Sequence, residues 1–343
     1  MESVAIDRRS EANASWFAAE ARRLAEVCQA MAERFARGGR LLATGDVSDS
    51  RHVAVEFVHP VIVGKRALPA LAVTSRQLEL LAEPDDMVIA FGVDVPATSA
   101  MVIELAPPVD DPFIRQELVE TAYHVLWELV HVFIEHNERN VHDAGAASFL
   151  YPFLGERETD AASVLEDVRR SILMKAEEVG ELRRQTLTEN RETLVAAAGA
   201  MRRAGRVLAL GNGGSATDAT DLVADLERAG RAAIDLTADP AILTAIANDV
   251  GVESIFARQV IAYGKAGDAL VALSTSGGSG NVIAALREAR SRGLVTIALV
   301  GYDGGQIAAE QLADHVIVTR SQHIPRIQEA QASAYHVLCE LIA

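Results

Sequence analysis

Two stretches of this chain repeat one short pattern, and that repetition limits the fold more than any other feature. Residues 32–45 and 201–211 each read as a helix end, a glycine stop, a short apolar strand and a further glycine, so that Gly45 answers to Gly211 at an offset of 166. Downstream, His52-x-x-x-Glu56 faces Asp221-x-x-x-Asp225 at offset 169, the strand-like run 86–91 faces 268–273 at 182, and Tyr123-His124 faces Tyr335-His336 at 212. The order is kept and the offset only grows. This predicts a tandem duplication: one unit present twice, with the first copy degenerate and shortened in its loops.

Within the second copy, short β-rich runs at 207–210, 232–236, 269–273, 295–300 and 315–319 alternate with amphipathic stretches such as 281–292. Alternation of this kind, with strands that read as continuously apolar, implies parallel sheets covered by helices on both faces. The expected fold class is therefore α/β, as two three-layer α/β/α sandwiches with flavodoxin- or Rossmann-like parallel sheets. A chain of 343 residues is long enough for two such domains. The predicted boundaries are 1–136 for the first domain, 137–160 for a linker and 161–343 for the second. Helices are expected over 163–184 and 189–203, leading into the second copy.

Composition narrows the partners. With 32 basic and 48 acidic residues the net charge is −16, which argues against an electrostatic grip on nucleic acid or on an anionic membrane surface. No run approaches the ~18 apolar residues of a membrane span, the N-terminus lacks a signal-peptide core, and the two cysteines, Cys28 and Cys339, read as buried thiols. A soluble, cytoplasmic protein is expected.

Two turns carry the chemistry. Gly211-Asn212-Gly213-Gly214-Ser215 joins a strand to a helix, where glycines let backbone approach a ligand and the helix N-terminus offers unpaired N–H groups. Alone it also fits a dinucleotide fingerprint, with Asp235 as the ribose acid. A second turn, Ser274-Thr275-Ser276-Gly277-Gly278-Ser279-Gly280, puts hydroxyls and glycines at another strand end. That suits the oxygens of a phosphate monoester. A nicotinamide enzyme has no need of it, so no nucleotide cofactor is expected.

These turns, with Ala247-Asn248-Asp249, Asp303-Gly304-Gly305, Arg326-Ile327-Gln328-Glu329 and His336, resemble the sugar isomerase (SIS) domain family, and within it the phosphoheptose isomerases. The likeness covers about 160–343 in full and about 10–135 weakly. It implies a five-stranded parallel sheet and aldose–ketose isomerisation of a phosphorylated sugar, sedoheptulose 7-phosphate to glycero-manno-heptose 7-phosphate, through an enediol(ate). It implies substrate contacts from Asn212, Gly213, Gly214, Ser215, Asn248, Asp249, Ser274, Thr275, Ser276, Ser279 and Gln328, and a homo-oligomer, such as a dimer. Family members also carry a His and a Glu four apart on one helix and a Gln and a His eight apart on the last, a set that can hold zinc and supply base and acid.

Here the second copy has Asp221 and Asp225 at the His/Glu positions and keeps Gln328 and His336. The first copy keeps the whole quartet, His52, Glu56, Gln116 and His124, as the expected metal ligands, but has lost both turns to 45–49 and 91–94. The expected catalytic residues are Glu56 or Asp225 as base and His124 or His336 as acid. The two sets serve either one site or two. The alternative is a non-catalytic sugar-phosphate-binding regulator or scaffold. The histidines at 131, 136 and 142 are expected at a solvated helix end rather than in a second metal site.

Overall fold

The computed structural model describes residues 3–60, 65–139 and 161–342. The chain divides into two compact units, an N-terminal one of Arg8–Gly180 and a C-terminal one of Glu181–Ala343 with Met1–Asp7.

The N-terminal unit is built from α1 (Ser3–Ala36), β1 (Leu41–Gly45), α2 (Val47–Val58), β2 (Ala70–Ala72), α3 (Ser75–Leu81), β3 (Met87–Phe91), β4 (Met101–Ile103), α4 (Pro112–Arg139) and the start of α5 (Ala161–Glu189). Its four strands are all parallel, in the order β2-β1-β3-β4. Strand side chains alternate between faces. Leu41 and Ala43 join a large core with Phe17 and Leu24 of α1 and Trp127 of α4, while Leu42 and Val88 meet Leu78 of α3 in a smaller cluster. Both faces are covered, as a parallel sheet requires.

The C-terminal unit continues with α6 (Arg191–Arg203), β5 (Val207–Leu210), α7 (Gly214–Arg228), β6 (Ala233–Asp235), α8 (Pro240–Asp249), α9 (Ala257–Tyr263), β7 (Ala269–Ser274), α10 (Gly280–Ser291), β8 (Val295–Gly301), α11 (Gly305–Ala309), β9 (His315–Thr319) and α12 (Ile324–Ile342). Its five parallel strands run β6-β5-β7-β8-β9. The direction of winding reverses between β5 and β7, and ligands of such sheets bind at the carboxyl ends of the strands at that switch. Both expected turns follow these two strands. Leu208, Leu210, Leu270 and Ala272 pack with Phe256 and Leu286, and the opposite-facing Ala209 and Val271 are equally buried.

Three expectations change. The division between units falls within α5, not at 137–160. Val164, Val168, Ile172 and Ala176 of that helix are buried in the N-terminal core, so it cannot belong wholly to the second domain. Residues 137–139 are the end of α4, and 140–160 lie outside the described residues. The N-terminal sheet has four strands rather than five among the described residues. Between β4 and α4 the chain has room only for Pro107, Pro108 and a short acidic turn; a fifth parallel strand needs a crossover of a dozen residues or more, and proline cannot donate to a ladder. Finally, His131 is buried, and burial together with Lys65 and Arg66 pushes its pKa down to about 3, so it is a neutral core residue. The side chain of residue 136 and all of residue 142 lie outside the described part. Cys28 and Cys339 are buried free thiols, as expected.

Leu270→Ala, at a fully buried position of β7, is expected to cost about 2–5 kcal/mol. Val252→Ala, at a site 61% exposed, should stay within about 0.5 kcal/mol. Urea unfolding of the C-terminal unit measures both.

Candidate functional site

The C-terminal unit assembles its turns through backbone geometry. Gly211 is required because a Cβ there would lie 2.1 Å from the Ser215 carbonyl oxygen. Gly277 holds φ +60, and a Cβ on it would lie 2.2 Å from the Gly304 carbonyl oxygen. The turn after β8 therefore buttresses the hydroxyl turn, and the Gly301 N–H donates to the Thr275 carbonyl at 3.0 Å. Tyr302, beside this contact, is held at φ +54, a conformation that non-glycine residues rarely adopt.

The two turns are joined by a reciprocal amide pair. Asn212 Nδ2 donates to Asn281 Oδ1 at 2.9 Å, and Asn281 Nδ2 donates back to Asn212 Oδ1 at 3.0 Å. Within the hydroxyl turn, Ser274 Oγ accepts from the Gly277 N–H at 3.2 Å and lies 3.4 Å from Ser279 Oγ, while Ser276 Oγ accepts from the Gly278 N–H. Ser276, Gly278 and Gly280 are exposed, Thr275 and Ser279 half-buried. The turn is open to solvent. Helices α2 and α8 are capped by the carboxylates of Asp46 and Asp239, whereas α7 and α10 begin on Gly213 and Ser279 with no side-chain cap. The Ser215 and Ala216 N–H groups donate to the Asn212 and Gly213 carbonyls and the Val282 N–H to Asn281 Oδ1, which leaves, among the described residues, the N–H groups of Gly214, Gly280 and Asn281 for water or a ligand.

Two turns along α7 from Gly214, about 10 Å by helical rise, lies a buried acid–base cluster. Asp221 and Asp225 share one helix face, and His336 of α12 meets both: its Nε2 is 3.3 Å from Asp221 Oδ2 and 3.5 Å from Asp225 Oδ2. The Tyr335 hydroxyl donates to Asp221 Oδ2 at 2.9 Å, and Arg228 pairs with Asp225 Oδ1 at 2.7 Å. Burial alone would raise the Asp221 pKa, but the hydrogen bond and charge of His336, the Tyr335 hydroxyl and Arg228 carry it below the ordinary carboxylate value. Asp221 is thus held ionised. Gln328 is buried on α12, eight residues before His336.

Asn248 and Asp249 are placed differently. They are exposed at the end of α8 and bond to each other at 2.7 Å. Among the described residues, no hydrogen bond ties them to either turn. Asp235 accepts from Thr220 and Thr237, so it is engaged in bracing α7 rather than presented to a ribose.

In the N-terminal unit, His52, Glu56 and His124 come together with ligand atoms within 4.8 Å of one another, all buried. The His52 and His124 Nε2 atoms lie 3.2 Å apart, and His52 Nε2 is 3.8 Å from Glu56 Oε1. Burial, aided by the Glu128 charge, pushes the Glu56 pKa up to about 8, and Glu56 Oε2 is buried without a hydrogen-bond partner among the described residues. Facing imidazole nitrogens beside an orphaned carboxylate oxygen are groups that could hold a divalent metal ion. Gln116 does not join them by any contact described: its Nε2 reaches Asp49 and Glu120, each at 3.4 Å.

Sequence reasoning missed Tyr335, Arg228 and Asn281 as site residues. The tyrosine had a signal, since Tyr-His occurs in both units, and Tyr123 packs its ring on His52 and His124 as Tyr335 does on His336. Arg228 had none beyond its i+3 spacing from Asp225.

Known proteins resemble this chain in sequence and in fold. The model of the SIS domain matches residues 176–301. A phosphoheptose isomerase from Roseiflexus sp. (strain RS-1) is 41% identical over 192 residues, 52% of this chain and 91% of that protein. One from Helicobacter pylori (strain P12) is 45% identical over 144 residues, 40% of this chain and 74% of that protein. Among solved structures, the C-terminal domain of glucosamine-fructose-6-phosphate aminotransferase from Francisella tularensis superposes with a TM-score of 0.60 over 98% of this chain and 93% of its own, at 10% identity, a likeness of fold alone. With most of a phosphoheptose isomerase matched at about two residues in five, and with the turns and the parallel sheet in place, this chain belongs to the SIS domain family as a homologue of the phosphoheptose isomerases.

Proposed function

We propose that the chain is an aldose–ketose isomerase of sedoheptulose 7-phosphate, yielding glycero-manno-heptose 7-phosphate. The observation that carries this reading is the shared helix α7. Its uncapped start belongs to the paired turns, and its third turn supplies the buried carboxylates that face His336. The phosphate sits on the hydroxyls of Ser274, Thr275, Ser276 and Ser279 and on the first N–H groups of α10. Asn212, Gly213, Gly214 and Ser215 bound the sugar chain, with Gln328 beneath. Asp225 takes the proton from C1 of the ketose, an enediolate forms, and the proton is returned at C2. His336, oriented by ionised Asp221, moves the proton between the two oxygens. Asn248 and Asp249 are kept as substrate contacts on the strength of the family motif only.

The His52–Glu56–His124 cluster fits zinc, which would supply Lewis-acid polarisation of a bound oxygen. Its own residues then act as ligands, with Gln116 as a nearby polar group and Glu56 and His124 as the alternative base and acid. The same reading has the chain working as a homo-oligomer in the cytoplasm. Helix α8 has no buried residue, and Val250, Val252 and Ile261 stand exposed beyond it, as a helix face that meets another copy would. No helix among the described residues is long and apolar enough to cross a membrane.

Asp225→Asn and His336→Ala should each lower kcat about 10²–10⁴-fold with KM little changed, while Ser276→Ala should raise KM. The coupled isomerase assay decides. Wild-type chain that binds the sugar phosphate without turnover would instead establish the binding-only reading, which the Arg228–Asp225 ion pair favours.

Zinc uptake by the N-terminal cluster should strengthen as pH rises toward about 8, because the Glu56 proton must leave before that oxygen can ligate. The gain is about tenfold per pH unit for this proton, levelling off above it. Chelator competition from pH 6 to 9 measures the slope, and Glu56→Gln should remove this component.

A further inference from the structure

The N-terminal unit has lost both of the turns described above, yet the carboxyl edge of its sheet is not closed. A cleft of about 380 Å³ opens there, between the end of β1, the first turn of α2, the segment after β2 and Val93, two residues past the end of β3. This is the switch point of the β2-β1-β3-β4 order, the place where parallel sheets receive ligands. The volume lies within the range of small-molecule sites.

Two side chains in this cleft are out of balance with their surroundings. Thr44 is 0% and Ser50 4% exposed, and the hydroxyl of each is buried without a hydrogen-bond partner among the described residues. A buried unpaired hydroxyl is costly and native structures rarely keep one without a use. Both residues line the cleft. Arg51 lines it too; it is exposed and makes no ion pair among the described residues. The carboxylates of the same helix turn are already committed. Asp46 accepts from the Ser48 and Asp49 N–H groups, and Asp49 accepts from Gln116. Val73 and Val93 complete the wall.

We infer that this cleft is a second ligand site, which holds a small hydroxylated anion with its charged group on Arg51 and a polar oxygen or hydroxyl seated against Thr44 and Ser50. One unopposed guanidinium selects one anionic group, the two hydroxyls select oxygens, and the valines accept a carbon chain. A sugar phosphate and a sugar acid share this chemistry. The site depends on no residue of the C-terminal unit, so it stands whether or not that unit isomerises.

Hydrogen exchange on the full chain tests it, with inorganic phosphate, glucose 6-phosphate, gluconate and neutral glucose as probes. At about 10 mM, ten times a millimolar Kd, a bound anion should slow exchange of segments 44–51 and 72–77 about tenfold. Arg51→Gln should abolish the slowing while the response of 274–281 to sugar phosphate persists. Thr44→Val should melt no lower than wild type without ligand, since it removes an unpaired hydroxyl, and yet should weaken the protection. Slowing by phosphate and glucose 6-phosphate assigns a phosphate ester; slowing by gluconate alone assigns a carboxylate. Absence of slowing with every anion, equal slowing by neutral glucose, or slowing that survives in Arg51→Gln would each overturn the inference.

Discussion

Parallel pairing of β5 with β7 is the constraint on which the C-terminal unit depends. It sets Val207 against Ala269 and Leu210 against Ala272, so both strands end at the same edge and both following turns open side by side. The amide pair Asn212–Asn281 then locks one turn to the other through two hydrogen bonds. Because α7 and α10 start from those turns without side-chain caps, the Gly214 and Gly280 N–H groups stay unbonded, among the described residues, beside a row of hydroxyls, the donors that the proposed phosphate site uses. The chain's acidity is no obstacle, since these donors are local and partly backbone.

The two units divide their polar chemistry differently. In the C-terminal unit, buried Asp221 is kept charged by His336, Tyr335 and Arg228. In the N-terminal unit, Glu56 is kept neutral by burial and by Glu128. One environment suits a carboxylate that orients an imidazole. The other suits one that gives up its proton only to a stronger partner, such as a metal. Both arise from the same arrangement, an i,i+4 pair on one helix facing a Tyr-His pair on another. At its own sheet edge the N-terminal unit has different polar groups, Thr44, Ser50 and Arg51, lining a cleft.

Much of the C-terminal unit was legible in the residues. Its central strands β5, β7 and β8 are buried on both faces, so their continuous apolar runs marked them within a residue or so. The glycines at 211 and 277 are demanded by close backbone contacts, which makes the turns readable. The i,i+4 spacing of Asp221 and Asp225 and of His52 and Glu56 placed each pair correctly on one face. Less legible was whatever depends on tertiary packing. The membership of α5 in the N-terminal core follows from which helix surfaces meet Val164 and Ile172. The missing fifth strand of the first sheet follows from a short, proline-bearing connection. Gln116 sits at the right spacing from His124, but side-chain direction took it to Asp49 and Glu120. The solitary placement of Asn248 and Asp249 reflects a helix, α8, that packs on its unit only through half-buried residues such as Leu243.

On the proposed function, a sugar phosphate anchored on the hydroxyl turn exchanges a carbon-bound proton at the Asp221–Asp225–His336 cluster. The most direct measurement is proton NMR of sedoheptulose 7-phosphate with the full chain in deuterated water. An isomerase should give growth of the aldose signal, with deuterium entering at C1 of the ketose or C2 of the aldose, and both should be lost in Asp225→Asn. A spectrum in which the phosphorus signal shows binding, while no aldose forms and neither carbon exchanges, would contradict it.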